Sequence, residues 1–298
     1  MTRARQAGDQ CPCVTQGALL PGGTREYGLT QNIWQVLLMT QDLSDTPRAL
    51  RLPSKRALIT GGTSGIGLET AREFLAEGAR LIVTGSSDES VRQAQEEFGP
   101  ATVVLRSDAA SIDDQRKLAA IVGEHFGQLD VAFLNAGASL WQSIEDWDEA
   151  CFDRIFATNV KGPYFLIQAL LPFLANPSSI VLNASAFAHI GVPMTSVCSA
   201  TKAALLSLVK TLSSELMPRG VRVNAVSPGP VDTPIFDKLG LRDESKEQAI
   251  QEVLGRSPTG RLGRPREIAS AVVFLASSAS AWTIGSEFLI DGGRLLGL

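Results

Sequence analysis

Residues Thr60-Gly61-Gly62-Thr63-Ser64-Gly65-Ile66-Gly67 carry the strongest chemical signal in the chain. They follow a short apolar run, Arg56–Thr60, and lead directly into an amphipathic stretch. Glycines at 61, 65 and 67 permit a sharp turn and let backbone come close to a bulky anion. A helix that starts there offers unpaired N–H groups and the positive end of its dipole. In this strand–turn–helix context the pattern reads as a pyrophosphate cradle built from Gly61, Thr63, Ser64, Gly65, Ile66 and Gly67. The alternative is a tight turn with no ligand.

Other reactive residue types are sparse. The cysteines are Cys11, Cys13, Cys151 and Cys198, and the histidines are His125 and His189. Cys11-Pro12-Cys13 has no second Cys or His pair near it, so no metal site is expected. Four cysteines in 298 residues are too few for a disulfide scaffold, which points to a reducing cytoplasm. A serine hydrolase of the nucleophile-elbow type needs Gly-x-Ser-x-Gly. Ser185 follows Asn183-Ala184 instead, which excludes that class. With 27 Lys plus Arg against 31 Asp plus Glu, the net charge is -4. The pI is near 5.4. That balance argues against nucleic-acid or anionic-membrane partners. No apolar run approaches the ~18 residues of a membrane span. Arg3 and Arg5 lack an apolar stretch behind them, so no secretory signal is expected.

The elements that must position these residues begin after residue 52. Residues 1–52 read as a poorly structured N-terminal extension, broken by Pro12, Pro21, Gly22 and Gly23. Its one apolar cluster, Ile33 to Met39, is too short to fold alone, and Met39 could be the true start of translation. Residues 53–298 read as one domain of alternating strands and helices. Strands are expected at Arg56–Thr60, Arg80–Thr84, Thr102–Arg106, Val131–Asn135, Ser179–Ala184, Val221–Val226 and Glu287–Ile290. Helices are expected from the glycine turn to about Glu77, then at Asp88–Phe98, Ile112–Phe126, Asp148–Leu174 and Val197–Met217, and near 245–254 and 265–276. The strands are near-continuous apolar runs, as when helices cover both faces. The alternation predicts an α/β fold: a three-layer, doubly wound parallel sheet of about seven strands with right-handed crossovers.

At the glycine turn, with spacing Gly-x-x-x-Gly-x-Gly, the chain resembles the short-chain dehydrogenase/reductase family, single-domain branch, over residues 54–293. Further motifs match in order. They are Asn135-Ala136-Gly137, Asn159 within Thr158-Asn159-Val160-Lys161-Gly162, Ser185, Lys202 within Ser199-Ala200-Thr201-Lys202-Ala203-Ala204, Pro228-Gly229 with Val231 and Thr233, and Asp291-Gly292-Gly293. The resemblance implies a Rossmann fold and a nicotinamide-dinucleotide oxidoreductase. It assigns cofactor contacts to Asn135, Ala136, Gly137, Lys202, Pro228, Gly229, Val231 and Thr233, and catalytic positions to Asn159, Ser185, residue 198 and Lys202. The family's site pairs a tyrosine with a lysine four residues on, one helical turn apart. Counting back four from Lys202, or forward thirteen from Ser185, gives Cys198. The replacement is therefore in register. A thiol is acidic enough, with a reference pKa of ~8.5 against ~10 for a phenol, but its sulfur stops several bonds short. A water could relay the proton. A second reading makes Cys198 a nucleophile activated by Lys202, although no resolving cysteine is recognisable. Tyr27 falls in the extension, and Tyr164 lies where the family usually packs a side chain.

An acidic residue ending the second strand would favour NAD. Here the segment is Thr84-Gly85-Ser86-Ser87-Asp88, with no carboxylate just past the strand, so NADP is favoured over NAD and Ser86 is expected at the ribose. Asp88 is expected to start the next helix. Asp108 fits either the family's adenine contact or a helix-start turn. Trp141, His189–Met194 and Ile235–Leu241 are candidate pocket walls, suited to a small or medium apolar carbonyl or alcohol. His125 is expected to face solvent. The resemblance implies a homodimer or homotetramer, compatible with the apolar runs Tyr164–Leu174 and Ala203–Leu212. Two functions follow: an NADP(H)-dependent oxidoreductase working with Cys198 in place of the usual tyrosine, or a cofactor-binding regulator or subunit partner that has lost the chemistry.

Overall fold

In β1 (Arg56–Thr60), Leu58 and Ile59 are adjacent in sequence and enter different hydrophobic cores. Successive side chains of a strand point to opposite faces, so a strand covered on both sides must be apolar throughout. The computed structural model describes residues 49–239 and 257–296, together with 248, 251, 254 and 255. The remaining strands are β2 (Arg80–Gly85), β3 (Val103–Arg106), β4 (Leu129–Leu134), β5 (Leu174–Asn183), β6 (Val221–Pro228) and β7 (Glu287–Ile290). They form one seven-stranded sheet in the order β3-β2-β1-β4-β5-β6-β7, and every neighbouring pair is parallel.

The principal helices are α1 (Gly65–Ala76), α2 (Asp88–Phe98), α3 (Ile112–Phe126), α4 (Glu149–Phe156), α5 (Gly162–Leu170), α6 (Ser196–Leu216) and α7 (Pro265–Ala276). Polar caps set several starts. The side chains of Ser87, Ser111 and Asp148 accept from the backbone N–H groups of Ser90, Asp114 and Cys151. One core gathers Leu118 and Val122 of α3, Leu166 and Leu170 of α5, and Leu205 and Val209 of α6. The other gathers Phe74 of α1 and Ile268, Val272 and Val273 of α7. The order in which successive strands are added reverses between β1 and β4, with β2 and β3 on one side and β5 to β7 on the other, which opens a crevice at the carboxyl ends of these strands.

Three expectations need correction. The helix expected over Asp148–Leu174 is two helices separated by a π turn at Ala157–Lys161. Pro163 has no N–H to donate to the Asn159 carbonyl, so the regular hydrogen-bond register breaks there. The helical region also ends sooner, because Leu174 already belongs to β5, which pairs with Leu129 of β4. Finally, the fold starts slightly before residue 53. Leu52 is fully buried and donates its N–H to the Glu77 carbonyl, and Arg51 holds the Glu77 carboxylate at 2.6 Å. The expected extension as far as residue 48 lies outside the described residues, as does the helix expected near 245–254 apart from isolated positions.

Candidate active site

The carboxyl ends of β1, β2, β4, β5 and β6 converge on a cavity of about 710 Å³. Gly61 takes a φ of +62°, and a Cβ on it would lie 2.9 Å from Ala136 Cα. A Cβ on Gly67 would strike the Gly61 carbonyl oxygen and lie 2.5 Å from Asn135 Nδ2. Only glycine therefore lets the turn nest against the end of β4. Asn135 locks that contact: its Nδ2 donates to the carbonyls of Thr60 at 3.2 Å and Gly61 at 2.9 Å. Thr60 Oγ1 answers by accepting from the backbone N–H groups of Asn135 and Ala136, both at 3.1 Å.

The α1 terminus behind this turn suits an anion. Its first turn holds no acidic residue, and Ser64 at its start makes no side-chain cap. Thr63, Ser64, Gly65 and Ile66 instead line the cavity. Buried polar atoms in the wall also await partners, since Asn183 Oδ1 and Ser107 Oγ have none among the described residues. These features fit a phosphate-bearing, hydrogen-bonding ligand.

Ser86, Ser87 and Ser90 line the cavity past β2, with Thr63 Oγ1 3.1 Å from Ser90 Oγ and Ser87 Oγ 2.9 Å from it. Asp88 turns away to Arg106 at 3.3 Å. Ser87 rather than Asp88 caps α2. Asp108 does two jobs: it lines the cavity, and its Oδ1 accepts from the Ala110 N–H at 2.9 Å. Arg154 grips it at 3.0 and 3.2 Å. Burial pushes the Asp108 carboxyl up, but the Ala110 N–H and Arg154 outweigh it and hold the pKa below the ordinary value.

At the other end, Lys202 projects from α6 and donates from Nζ to the Asn183 carbonyl at 2.7 Å. Burial pushes its pKa down to about 8 against a partial opposing pull from Cys198. Ser185 lines the same cavity, and its Oγ accepts from the Phe187 N–H at 3.2 Å. Cys198, one turn before Lys202, is 6% exposed. Its sulfur accepts from the Leu140 N–H and donates to the Leu140 carbonyl, both at 3.3 Å. Asn159 is 1% exposed and lies beneath the cavity wall. Its side chain accepts from the Ala138 N–H at 2.8 Å and donates to the Ala138 carbonyl at 2.9 Å and Thr201 Oγ1 at 3.0 Å.

The cavity brings together Gly61, Thr63, Ser64, Gly65, Ile66, Ser86, Asp108, Asn135, Ala136, Gly137, Ser185, Cys198, Lys202, Pro228, Gly229, Val231 and Thr233. Gly67 and Asn159 stand behind it. Trp141 forms wall as expected, and so do Ile235, Phe236 and Leu239 of the segment after Thr233. Residues 240 and 241 of that segment lie outside the described residues. His189 and Met194 do not line the cavity. His189 Nε2 instead meets Glu287 Oε1 at the start of β7, 2.7 Å away. His125 is exposed as expected. Tyr164 is exposed on α5. Sequence reasoning missed Arg154, Ser107 and Phe187. The Arg154–Asp108 pair spans 46 positions, and no local pattern announces it.

Comparison with known proteins defines the class. Residues 61–294 match the family model described as enoyl-(acyl carrier protein) reductase. The chain belongs to the short-chain dehydrogenase/reductase family of oxidoreductases. It is 37% identical over 262 residues to 2-keto-3-deoxy-L-fuconate dehydrogenase of Xanthomonas campestris pv. campestris, covering 86% of this chain and 84% of that one. It is 35% identical over 257 residues to L-rhamnose 1-dehydrogenase (NAD(P)+) of Azotobacter vinelandii, covering 83% and 99%. Among solved structures, a short chain dehydrogenase from Burkholderia cenocepacia in complex with NADP superposes with a TM-score of 0.74 at 30% identity, covering 82% of this chain and 99% of that one. Among the described residues no helix is long and apolar enough to cross a membrane, and no three metal-ligating side chains gather.

Proposed function

We propose that this chain is an NADP(H)-dependent oxidoreductase that interconverts a small carbonyl compound and an alcohol. The observation that carries the reading is the sharing of one cavity by the uncapped glycine turn, Ser185 and Lys202. Relatives whose names specify NAD(P)+ or a complex with NADP support it. When bound, the dinucleotide supplies the two-electron exchange with the substrate carbon.

The chain's own residues divide the remaining work. The turn from Gly61 to Ile66 would hold the pyrophosphate, and Asn135–Gly137, Pro228, Gly229, Val231 and Thr233 would border the rest of the dinucleotide. The hydroxyls of Thr63, Ser86, Ser87 and Ser90, with no carboxylate among them, leave room for a 2′-phosphate. That is why NADP is preferred over NAD. Ser185 Oγ polarises the reacting oxygen. Among the described residues, the cavity's titratable groups are Asp108, Arg154, Cys198 and Lys202. Asp108 and Arg154 hold each other, and the Cys198 S–H is donated to Leu140. Lys202 Nζ, with a pKa of about 8, is therefore the group that holds and releases a proton near the substrate. Trp141, Phe187, Ile235, Phe236 and Leu239 make the substrate end apolar.

The commitment of the Cys198 thiol to Leu140 favours a second reading, a cofactor-binding regulator with impaired chemistry. Titration with NADPH and NADH, followed by turnover on ketones and sugars, separates the two. Binding with turnover supports the enzyme, and binding alone supports the regulator. The free thiols of Cys151 and Cys198 suit a reducing cytoplasm. Trp282, 96% exposed just before β7, suits burial in a homodimer or homotetramer.

A further inference from the structure

We propose that Cys198 is a positioning residue whose sulfur clamps the Leu140 peptide, fixes the neighbouring Trp141 wall and thereby limits the size of substrate admitted. The inference rests on the reading of this cavity as an oxidoreductase site and specifies what position 198 does there.

The segment from Ala138 to Gln142 is irregular, so its backbone groups must be satisfied from outside. Each attachment is visible. Ala138 is held at both N–H and carbonyl by the Asn159 side chain. Leu140 is held at both by Cys198 Sγ. The Trp141 N–H donates to the Leu239 carbonyl at 3.0 Å, and the Gln142 N–H donates to the Met194 carbonyl at 3.0 Å. Ser139 Oγ adds a weak contact to the sulfur at 3.7 Å. One thiol can serve both Leu140 groups because sulfur is a donor and an acceptor and is large enough to span them. Alanine offers neither function, and a serine hydroxyl is too short to keep both contacts.

The clamp sits next to the substrate end. Trp141 lines the cavity and faces Phe187 with ring centroids 6.0 Å apart. Leu239, which receives the Trp141 N–H, is buried and lines the same end. The sulfur also packs in a small core with Ile155 and Val197, against Leu140, Trp147 and Phe156. Moving it would therefore release the aromatic wall and leave the glycine turn untouched.

The test uses the full chain in three forms: native, Cys198→Ala and Cys198→Ser. Amide hydrogen exchange is read without nucleotide, NADPH affinity by titration, and KM and kcat on ketones of increasing bulk with NADPH. In Cys198→Ala the Leu140 amide should exchange about tenfold faster or more, with Trp141 following. The Ala138 amide, held by Asn159, and the NADPH Kd should stay within about twofold. Cys198→Ser should fall between native and alanine. KM for the bulkiest ketone should drop several-fold relative to KM for the smallest. Unchanged exchange at Leu140, or faster exchange spread evenly over α6 and the sheet in both variants, overturns the clamp. Selective loosening with every ketone KM unchanged overturns the size limit. If NADPH binds and no ketone turns over, the oxidoreductase reading fails together with the size limit. The exchange pattern still decides the clamp.

Discussion

Asn183 Nδ2 donates to Asn135 Oδ1 at 2.8 Å, joining the end of β5 to the end of β4. The two amides form a relay across the switch point of the sheet. Asn135 turns its own Nδ2 to the Thr60 and Gly61 carbonyls, and the Asn183 carbonyl receives Lys202 Nζ. The glycine turn and Lys202 are thus held in one frame, each one side chain away from the pair.

Asn135→Ala should disturb both ends of that frame. It strips two backbone carbonyls and the Asn183 amide of a partner, a loss of about 1–3 kcal/mol in stability. Urea unfolding should report this, and NADPH titration should show weaker binding. An unchanged midpoint would mean that water replaces the amide without cost.

Gly67→Ala tests the turn itself. The added methyl meets the Gly61 carbonyl oxygen and Asn135 Nδ2. Overpacking of this kind costs about 1–3 kcal/mol and should push the turn out of shape, so that dinucleotide affinity falls further than stability alone predicts. Thermal unfolding alongside nucleotide titration gives both quantities.

Lys202 makes stability depend on alkaline pH. Its folded pKa is lowered from 10.5 to about 8 by burial. Between those values the unfolded chain binds more protons than the folded one, so stability rises with pH across that window, at up to about 1.4 kcal/mol per unit. Below pH 8 both states are protonated and the burial penalty is constant. Denaturant unfolding from pH 7 to 10.5 should show this rise in the native chain, beneath any general alkaline loss, and its absence in Lys202→Met.

Ser86→Asp addresses nucleotide choice. A carboxylate beside Ser87 and Ser90 would repel a 2′-phosphate and accept from ribose hydroxyls. The ratio of NADPH to NADH affinity should fall by about 10- to 100-fold. Competition binding measures it directly, and an unaltered ratio would remove this serine cluster from the specificity argument.

Much of the fold was legible because both-face burial writes itself as continuous apolar strands, and β1, α2, α3 and β7 stand where the pattern predicts. The long helix after Asp148 was overextended because apolar periodicity runs through Pro163 without showing the missing hydrogen bond. The glycine turn was singled out by its strand–turn–helix context and Ser185 and Lys202 by the family resemblance, and the fold places all three on one cavity. The Leu140 contact was not. Cys198 marks its own position in α6, yet the peptide it holds is 58 residues away in an irregular segment. His189 was placed near the substrate because it follows Ser185 closely, whereas Glu287 draws it to the start of β7.

The most direct test of the central claim is to mix the native chain with NADPH and follow both nucleotide binding and oxidation as ketones and sugars are added. The account predicts binding at micromolar affinity, tighter for NADPH than for NADH. It also predicts that one NADPH is consumed per carbonyl reduced, with a rate that falls as pH rises through about 8 as Lys202 loses its proton. Failure of either nucleotide to bind, or binding with no oxidation across the whole panel, would contradict it.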